Sequence, residues 1–499
     1  MLIAAALLIL VLLAVYALAL WQVWRAPFRG LGVLVAGFAF HNFLIMVLLR
    51  LGTPAVVVRV VQAWKEGILA LLFAFVLVAL WRAWRQGQSL RVHPIDLAFG
   101  VFALLAVLYT LAPHGLLHGE ANLQQRLLGL RVVLLLPLLY LYGRVFQPRS
   151  HADLRWVAWA IAASAAVVGI FGLIELWLVP TTVWLDWGVN QLSSWLGFVY
   201  NGPRGLPANF FQTTGEGLLL RRMVSTYVSP LGIAYAGLLV VPVVVALILD
   251  VRSRWQRWLV WACALLTLAS ILFSLTRLAL LMTVAELLFL AVLTRVRWVL
   301  YAAPVAAVLS AFMVLEFVNV GPLLDRTLQP VANRPSHMRI ASTGDPSLNE
   351  HAGLLGYDLQ YVLQHPLGTG IGSSVHRFGT SQGTAESAIL DMFGDMGILG
   401  GLLYLFLYAS AFFVGVFAFF RVRRVPLLGM LPLVCAVGAP ALGPITLTSD
   451  LWGDLSTTYL FWWAAGASLS LYLGRRFSER IPDTAPASAP DKPRGRTRS

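Results

Sequence analysis

The chain has 499 residues, of which 59% are hydrophobic and 12% are charged, and its mean hydropathy is +0.80. Soluble domains carry about 25% charged residues, so this composition excludes a soluble globular protein. The formal net charge is +14. Most of the excess Lys and Arg lies in short loops between apolar runs, which argues against a nucleic-acid partner.

Long apolar runs recur along the whole chain. A bilayer core requires about 20 apolar residues for each helical span, and thirteen runs are candidates. We therefore predict an all-α, polytopic integral membrane protein with about 12–13 transmembrane helices. The predicted spans lie near residues 2–24, 31–49, 67–81, 95–112, 127–143, 154–178, 229–249, 257–273, 276–296, 298–318, 386–420, 425–447 and 456–474.

Two other interpretations of the apolar runs fit less well. An outer-membrane barrel requires segments of about ten residues that alternate in polarity, and the sequence lacks that alternation. The first run lacks the basic start and the cleavage site of a signal peptide and continues into Trp21, Trp24 and Arg25, so we interpret it as a span. Cys263 and Cys435 both fall inside predicted spans, which indicates packing rather than a disulfide.

The positions of the basic residues predict the orientation, because Lys and Arg in short loops stay on the cytoplasmic side. Every second loop is then cytoplasmic, the N-terminus lies outside, and the two longest segments, about 179–228 and 319–385, face outward. Three basic residues break the pattern, and an interfacial helix would explain them: Arg50, Arg59 and Lys65. The basic loops hold Arg25 and Arg29, Arg82 to Arg91, Arg144 to Arg155, Arg252 to Arg257, Arg295 and Arg297, Arg421 to Arg424, and Arg475 onward.

The domain prediction follows from this division. Residues 1–477 form one membrane domain whose two large outer loops make up the candidate site region. Residues 478–499 are rich in Pro, Ala, Ser, Lys and Arg and predict a disordered basic cytoplasmic tail beside anionic membrane lipids. The sequence has no internal repeat, Walker loop, His/Cys metal spacing or soluble nucleotide-binding domain, so no cofactor or metal is predicted, and an energised pump is disfavoured.

An arginine pair precedes the seventh predicted span. Arg221 and Arg222 lie where the hydrocarbon begins. An irregular, hydroxyl-rich start of a helix follows, with Ser225, Thr226 and Ser229. Backbone donors and guanidinium groups in such a place can hold an anion. The alternative is that both arginines extend to lipid headgroups.

A third arginine stands in a very short outer turn, Phe273-Ser-Leu-Thr-Arg277. A cation at a helix N-terminus opposes the helix dipole, so a bound anion would explain Arg277, with extension to headgroups as the equal alternative. Glu286 lies in the same span at mid-membrane depth. An intramembrane carboxylate is a functional candidate unless a partner in the bundle makes it structural.

A glycine-rich segment ends the second large outer loop. Gly368, Gly370 and Gly372 permit a close backbone approach, which alone is a weak signal. Glu386 follows at the start of a long apolar helix, where the dipole favours a carboxylate as a simple cap. The alternative is a general base that acts on a hydroxyl at the membrane surface.

These blocks resemble the O-antigen ligase and O-antigen polymerase superfamily of bacterial envelope enzymes, GT-C-like membrane glycosyltransferases, in their order from Arg221 to Gly401. Arg222-Met-Val-Ser-Thr-Tyr-Val-Ser-Pro is similar to that family's outer Arg motif, and Thr276-Arg277 is similar to its short Ser-Arg turn. His365-Pro-Leu-Gly-Thr-Gly-Ile-Gly372 resembles its Pro-Leu and glycine loop.

The sequence departs from the family at one position. The family carries a His followed by Asn, Ser or Gln, nine residues, and Gly-x-x-Gly, whereas this chain has Glu386-Ser387, nine residues, and Gly397-Ile-Leu-Gly400. The resemblance therefore implies that Glu386 replaces the family's proposed base. The family's loop Arg has His351 in its place, and nearby Arg339 can substitute.

The resemblance implies an inverting, metal-independent transfer of a glycan from undecaprenyl diphosphate to an acceptor hydroxyl outside the bacterial inner membrane. Arg222 and Arg277 would neutralise the leaving diphosphate and Glu386 would deprotonate the acceptor, which is a lipid, a glycan or a protein. Three tryptophans either stack on sugars or anchor the interface: Trp184, Trp187 and Trp195. The predicted substrate contacts are Arg221, Arg339, His351, Gly370, His376 and Arg377.

Two alternatives stay open at this point. A flippase for lipid-linked oligosaccharides would use the same arginines, but it should carry several deep polar residues and pseudo-symmetric halves. A peptidoglycan-type polymerase would also use an outer carboxylate such as Glu386. The order of the Arg, Gly and Glu blocks favours the ligase group, in which ligases and polymerases differ only in their acceptor.

Overall fold

The computed structural model describes residues 2–87, 92–197, 205–213, 219–320, 346–374 and 387–474. Within these ranges the regular structure is helical except for one short hairpin. The helices are α1 (Leu2–Arg25), α2 (Gly30–Arg50), α3 (Ala55–Gln62), α4 (Trp64–Arg85), α5 (Pro94–Leu111), α6 (His114–Leu117), α7 (Leu123–Val145), α8 (His151–Leu178), α9 (Thr181–Asp186), α10 (Val189–Leu196), α11 (Pro230–Asp250), α12 (Arg254–Phe273), α13 (Arg277–Thr294), α14 (Arg297–Val320), α15 (Pro346–Gln364), α16 (Ala388–Val422), α17 (Met430–Thr448) and α18 (Leu455–Tyr472). The strands are β1 (Phe211–Thr213) and β2 (Leu219–Arg221).

The described part of the chain has twelve helices that are long and apolar enough to cross a membrane. They coincide with the first twelve predicted spans, so the predicted all-α polytopic membrane architecture is confirmed. The thirteenth run forms α18, which is not among the twelve. Its buried Ser and Thr residues lower its hydropathy, and neighbouring helices surround it, so it needs no apolar face toward lipid.

The core of the bundle is built around α11, α17 and α18, whereas α1 lies at the periphery. In the most apolar stretch of α11, 94% of the residues are buried inside the protein, whereas in that of α1 only 6% are buried. Glycines allow α7 and α18 to approach closely: a Cβ on Gly143 or Gly466 would collide with a backbone carbonyl of the facing helix. Small residues at such contacts are typical of helix pairs in membranes, where dispersion rather than hydrophobicity drives association.

The basic loops meet on one end of the bundle. Arg29 pairs with Asp153 at 2.9 Å, and Arg144 makes two 2.7 Å hydrogen bonds to Asp96. Arg155 pairs with Asp250 at 3.0 Å. The loops that the positive-inside pattern groups together therefore share one face, and the large loops lie at the opposite ends of the same helices. We call this opposite side the outer face.

The described parts of the chain on that face contain several short elements. The segment after α8 contains α9, α10 and the β1–β2 hairpin, in which Phe211 pairs with Arg221. The basic stretch between the second and third spans contains the short helix α3, with Val56 73% exposed. The glycine-rich loop leads from α15 toward α16. The long helix α16 contains a break at Gly397, where φ is 68° and ψ is −173°.

Candidate functional site

A buried ion pair holds the first arginine. Arg221 Nη2 donates a 2.9 Å hydrogen bond to Glu175 Oε2, and Arg221 Nη1 donates to the carbonyl of Val179 at 2.7 Å. The other carboxylate oxygen of Glu175 accepts the amides of Val224 at 2.9 Å and Ser225 at 3.3 Å. Glu175 is fully buried, so this pair fixes the course of the loop that carries Arg222. Sequence reasoning missed Glu175, which ends a predicted span.

The same loop stores backbone strain. Ser225 and Val228 have φ of 43° and 55°, a left-handed region that β-branched Val rarely adopts. Ser225 Oγ donates to Val168 O at 2.6 Å, and Thr226 Oγ1 donates to Ala39 O at 2.6 Å. The hydroxyls predicted to line an anion site therefore tie the loop to α2 and α8.

The second arginine joins two sequence motifs directly. Arg222 Nε donates to Ser274 O at 2.7 Å, and its Nη2 donates to Thr276 Oγ1 at 2.8 Å. The amide of Met223 donates to Phe273 O at 3.0 Å. A guanidinium has five N–H groups, and those of Arg222 that remain have no acceptor among the described residues. These donors are available to a ligand.

The third arginine adds positive charge beside the second. Arg277 is the first residue of α13 and is partly buried. Burial lowers the pKa of Arg222 to about 10; Tyr235 opposes this shift, and the charge of Arg277 adds to it. Arg222 therefore remains protonated at neutral pH while it lies close to a second guanidinium, and two neighbouring cations on the outer face favour an anionic ligand.

The glycine-rich loop, residues 366–374, is bound to the break in α16. Gly370 N donates to Asp395 O at 3.0 Å, and Gly372 N donates to Asp395 Oδ2 at 2.9 Å. Ser374 donates to Asp395 Oδ1 from both its amide, at 3.0 Å, and its hydroxyl, at 2.5 Å. The glycine-rich loop and the first turns of α16 are separate motif blocks in the sequence, and in the structure they form one unit. Asp395 was not singled out, because an acid in an apolar helix gives no signal about distant amides.

Gly370 lies against a further buried arginine. A Cβ at Gly370 would lie 3.6 Å from Tyr109 O and 3.8 Å from Arg126 Nη2. Arg126 is 4% exposed and donates to backbone carbonyls, among them Ala112 O at 2.5 Å and Ala121 O at 3.2 Å. The glycine's amide is thus engaged by Asp395. A Cβ would have room here, so the φ of 95°, in the left-handed region, is what favours glycine at this position.

Four predicted site residues lie outside the described residues: Arg339, His376, Arg377 and Glu386. Three of these positions lie in segment 375–386, and hydrogen bonds hold the residues on either side of it. Ser374 Oγ donates to Asp391 O at 3.2 Å, and Ser387 Oγ donates to Thr446 O at 3.2 Å while it caps α16. Both ends of segment 375–386 are therefore attached within the first turns of α16. His351 lies on the exposed side of α15.

The remaining sequence candidates lie apart from the arginines. Glu286 is 2% exposed, and neither of its carboxylate oxygens has a hydrogen-bond partner in the part of the chain that the structure describes. Trp184 is fully buried, with its ring centroid 5.2 Å from that of Trp187, and Trp195 donates to Gln62 at 3.1 Å. These tryptophans pack the outer loop, which favours the anchoring interpretation over sugar stacking.

A second outer carboxylate lies near the start of α16. Asp454 caps α18 by accepting the amide of Ser456 at 3.2 Å and the hydroxyl of Thr457 at 2.9 Å. Burial raises the pKa of Asp454 to about 7. Its loop contacts α16 through a 3.1 Å hydrogen bond from Ala388 N to Ser449 O. Across the described ranges, no group of three or more His, Cys, Asp or Glu side chains is placed to hold a metal ion.

Comparison with known proteins adds one family. The family described as O-antigen ligase matches residues 262–405. This region extends from α12 to α16 and contains Arg277, the glycine-rich loop and the break at Gly397, whereas Arg221 and Arg222 precede it. No curated protein matches the chain.

Proposed function

From the premise that this chain, through residues 262–405, belongs to the O-antigen ligase and polymerase superfamily, we propose that it transfers a glycan from undecaprenyl diphosphate to an acceptor hydroxyl. The reaction takes place at the outer face of the bacterial inner membrane, without a metal ion. The single observation that carries this proposal is the junction of Arg222 with Thr276, beside Arg277. It joins two motif blocks into one cationic cluster, and the Arg222 donors that have no acceptor among the described residues support the binding of a diphosphate.

The proposed reaction is one inverting displacement. The acceptor oxygen attacks the anomeric carbon as the bond from that carbon to the diphosphate oxygen breaks, and undecaprenyl diphosphate leaves with one additional negative charge. Arg222 and Arg277 stabilise that charge, a role that a divalent ion fills in other enzymes. Glu386 takes the proton of the acceptor hydroxyl.

The remaining predicted residues have supporting roles in this proposal. Arg221 positions Arg222, because its donors are engaged by Glu175 and Val179. The residues proposed to contact the sugar or the diphosphate are Arg339, His351, His376 and Arg377. Gly370 is buried and its amide is bound to Asp395 O, so its proposed role is to hold the loop. The acceptor is a lipid, a glycan or a protein. A transfer assay with each of these three candidates identifies the class that receives the glycan.

The test uses the full chain in lipid nanodiscs with a polyprenyl-diphosphate-linked glycan, a chelator and no nucleotide. We expect wild type to form a new glycosidic bond and Arg222→Ala, Arg277→Ala and Glu386→Gln to lose about 100-fold or more in rate. Arg59→Ala is the matched control, since this outer arginine stacks over Trp195, with 5.6 Å between its guanidinium carbon and the ring centroid. Movement of the carrier across liposomes without bond formation would replace the proposal with a flippase.

A further inference from the structure

The backbone donors of the glycine-rich loop, residues 366–374, are directed into the chain itself. Thr369 N donates to Gly394 O at 2.8 Å and Gly370 N to Asp395 O at 3.0 Å. In the opposite direction, Ile398 N donates to Pro366 O at 2.9 Å. A loop of this composition resembles a phosphate cradle, but these amides are already committed to α16.

An internal carboxylate occupies the centre of this loop. Asp395 is 3% exposed, and its two oxygens accept the amides of Gly372 and Ser374 and the hydroxyl of Ser374. Within the described residues no cation pairs with Asp395, so neutral loop donors provide its stabilisation. Successive amides around one anion form a nest, and here the anion is Asp395.

The break in α16 makes this contact possible. Gly397 has φ of 68°, and a Cβ there would lie 2.5 Å from the carbonyl carbon of Leu367 and 2.6 Å from Pro366 O. Glycine is needed both for the left-handed backbone and for the close approach. The loop and the first turns of α16 therefore pack as one body, held on one side by Gly397 and on the other by Asp395.

We propose that Asp395 is a positioning residue for glycan transfer, because its carboxylate fills the amide nest of the loop and sets the relation of that loop to the start of α16. Segment 375–386, which holds Glu386, begins after Ser374, a direct partner of Asp395. It ends directly before Ser387, the N-cap residue of α16, which precedes Asp395 by about two helical turns. This inference rests on the proposed function for its activity readout, but not for its structural readout.

The experiment removes the carboxylate of Asp395 by substitution and then supplies a carboxylate from solution as formate. Asp395→Ala leaves a space lined by the loop amides, and we expect kcat to fall about 100-fold, the effect of misplacing a reacting group by about 1 Å, with little change in KM for the donor. Sodium formate should restore activity at least tenfold, because a small carboxylate can occupy the vacated nest. Asp395→Leu is the matched control: it fills the space without an acceptor, so formate should not restore it.

A second readout is independent of transfer. Amide hydrogen exchange at residues 368–374 should accelerate in Asp395→Ala and slow again with formate, whether or not wild type transfers a glycan. Failure of transfer by wild type would overturn the proposed function and leave this test standing. If Asp395→Ala fails to fold, Ser374→Ala is the second variant. It removes the hydroxyl contacts with Asp395 Oδ1 at 2.5 Å and Asp391 O at 3.2 Å and keeps the amide bond to Asp395 at 3.0 Å, and it should lower kcat less than tenfold.

Two results would overturn the inference. The first is full activity and unchanged exchange in Asp395→Ala, which would show that the nest does not depend on the carboxylate. The second is equal recovery of Asp395→Ala and Asp395→Leu in formate, which would show a general salt effect. Recovery of Asp395→Ala alone, in both activity and exchange, supports it.

Discussion

Arg222 and Thr276 are 54 residues apart in the chain, and a 2.8 Å hydrogen bond joins Nη2 of the first to Oγ1 of the second. The arginine is thereby held rigidly at the outer end of α13 rather than extended toward lipid. Two of its neighbours in this junction contribute a backbone carbonyl and a hydroxyl, neither of which neutralises its charge. The positive charge of Arg222 is therefore not neutralised by these two contacts, which supports its proposed role in binding an anion.

Removal of that hydroxyl should weaken transfer without unfolding the protein. In Thr276→Val, Ser274 O is the one acceptor that remains for the Arg222 side chain among the described residues. We expect kcat/KM to fall about 10- to 100-fold, the range for a hydrogen bond to a charged group. Thr283→Val is the matched control on the same helix, because its hydroxyl bonds only to Ala279 O at 2.8 Å. Steady-state transfer rates measure both variants. An equal loss in both would mean that Thr276 acts through helix stability.

Glu175 should be essential for the stability of the outer loop. Its pair with Arg221 has side chains 0% and 5% exposed, and breaking such a buried pair costs about 3–5 kcal/mol. We expect Glu175→Gln to lower the melting temperature in detergent much more than Asp250→Asn, whose Arg155 partner is 41% exposed. Thermal unfolding followed by tryptophan fluorescence tests this, and similar shifts in the two variants would contradict it.

Stability should fall as the pH rises between about 4 and 7 on account of Asp454. Burial raises the pKa of Asp454 from its ordinary value of 3.8 to about 7, so in this window the folded protein holds a proton that the unfolded chain has lost. Asp454→Asn stays uncharged at every pH, so its stability should lack this pH dependence. Its melting temperature should equal that of wild type at pH 4 and exceed it at pH 8. A constant difference between the two proteins across this range would contradict the prediction.

The break in α16 should not tolerate a side chain. Gly397→Ala places a Cβ in a left-handed position against the carbonyl of Leu367, and we expect a loss of about 1–3 kcal/mol together with impaired transfer. Gly353→Ala is the control, because its site in α15 has no atom within 4 Å of the new Cβ. It should leave stability unchanged or raise it by up to about 1 kcal/mol. The free energy of unfolding of both variants, measured in denaturant, tests this difference.

Glu286 should contribute nothing to transfer. Its carboxyl is buried without a hydrogen-bond partner among the described residues, and an unsatisfied polar group there costs about 1–3 kcal/mol. Glu286→Leu should therefore preserve the transfer rate and raise the melting temperature. A loss of activity in this variant, with the fold intact, would reassign Glu286 to the site.

Sequence patterns predicted the spans because a helix in lipid must satisfy its own backbone hydrogen bonds and present an apolar surface about 20 residues long. That requirement is local, so twelve helices appear where apolar runs predicted them. The helices α9, α10 and α15 were not predicted, since a polar outer segment has no such requirement. Arg277 was placed at a helix start from its turn alone, and α13 begins there.

Composition and local patterns were enough to predict the membrane architecture, the resemblance to O-antigen ligases that the match over residues 262–405 supports, and the position of Arg277 at a helix start, because each depends on residues close together in the chain. Tertiary structure alone decided what those residues contact. Arg221 is engaged by Glu175, 46 residues away, whereas Arg222 donates across to Ser274 and Thr276, and the glycine loop binds Asp395. The packing between helices decides which hydrogen-bond partners meet. The local sequence around a buried carboxylate does not indicate whether that carboxylate pairs with an arginine or with backbone amides.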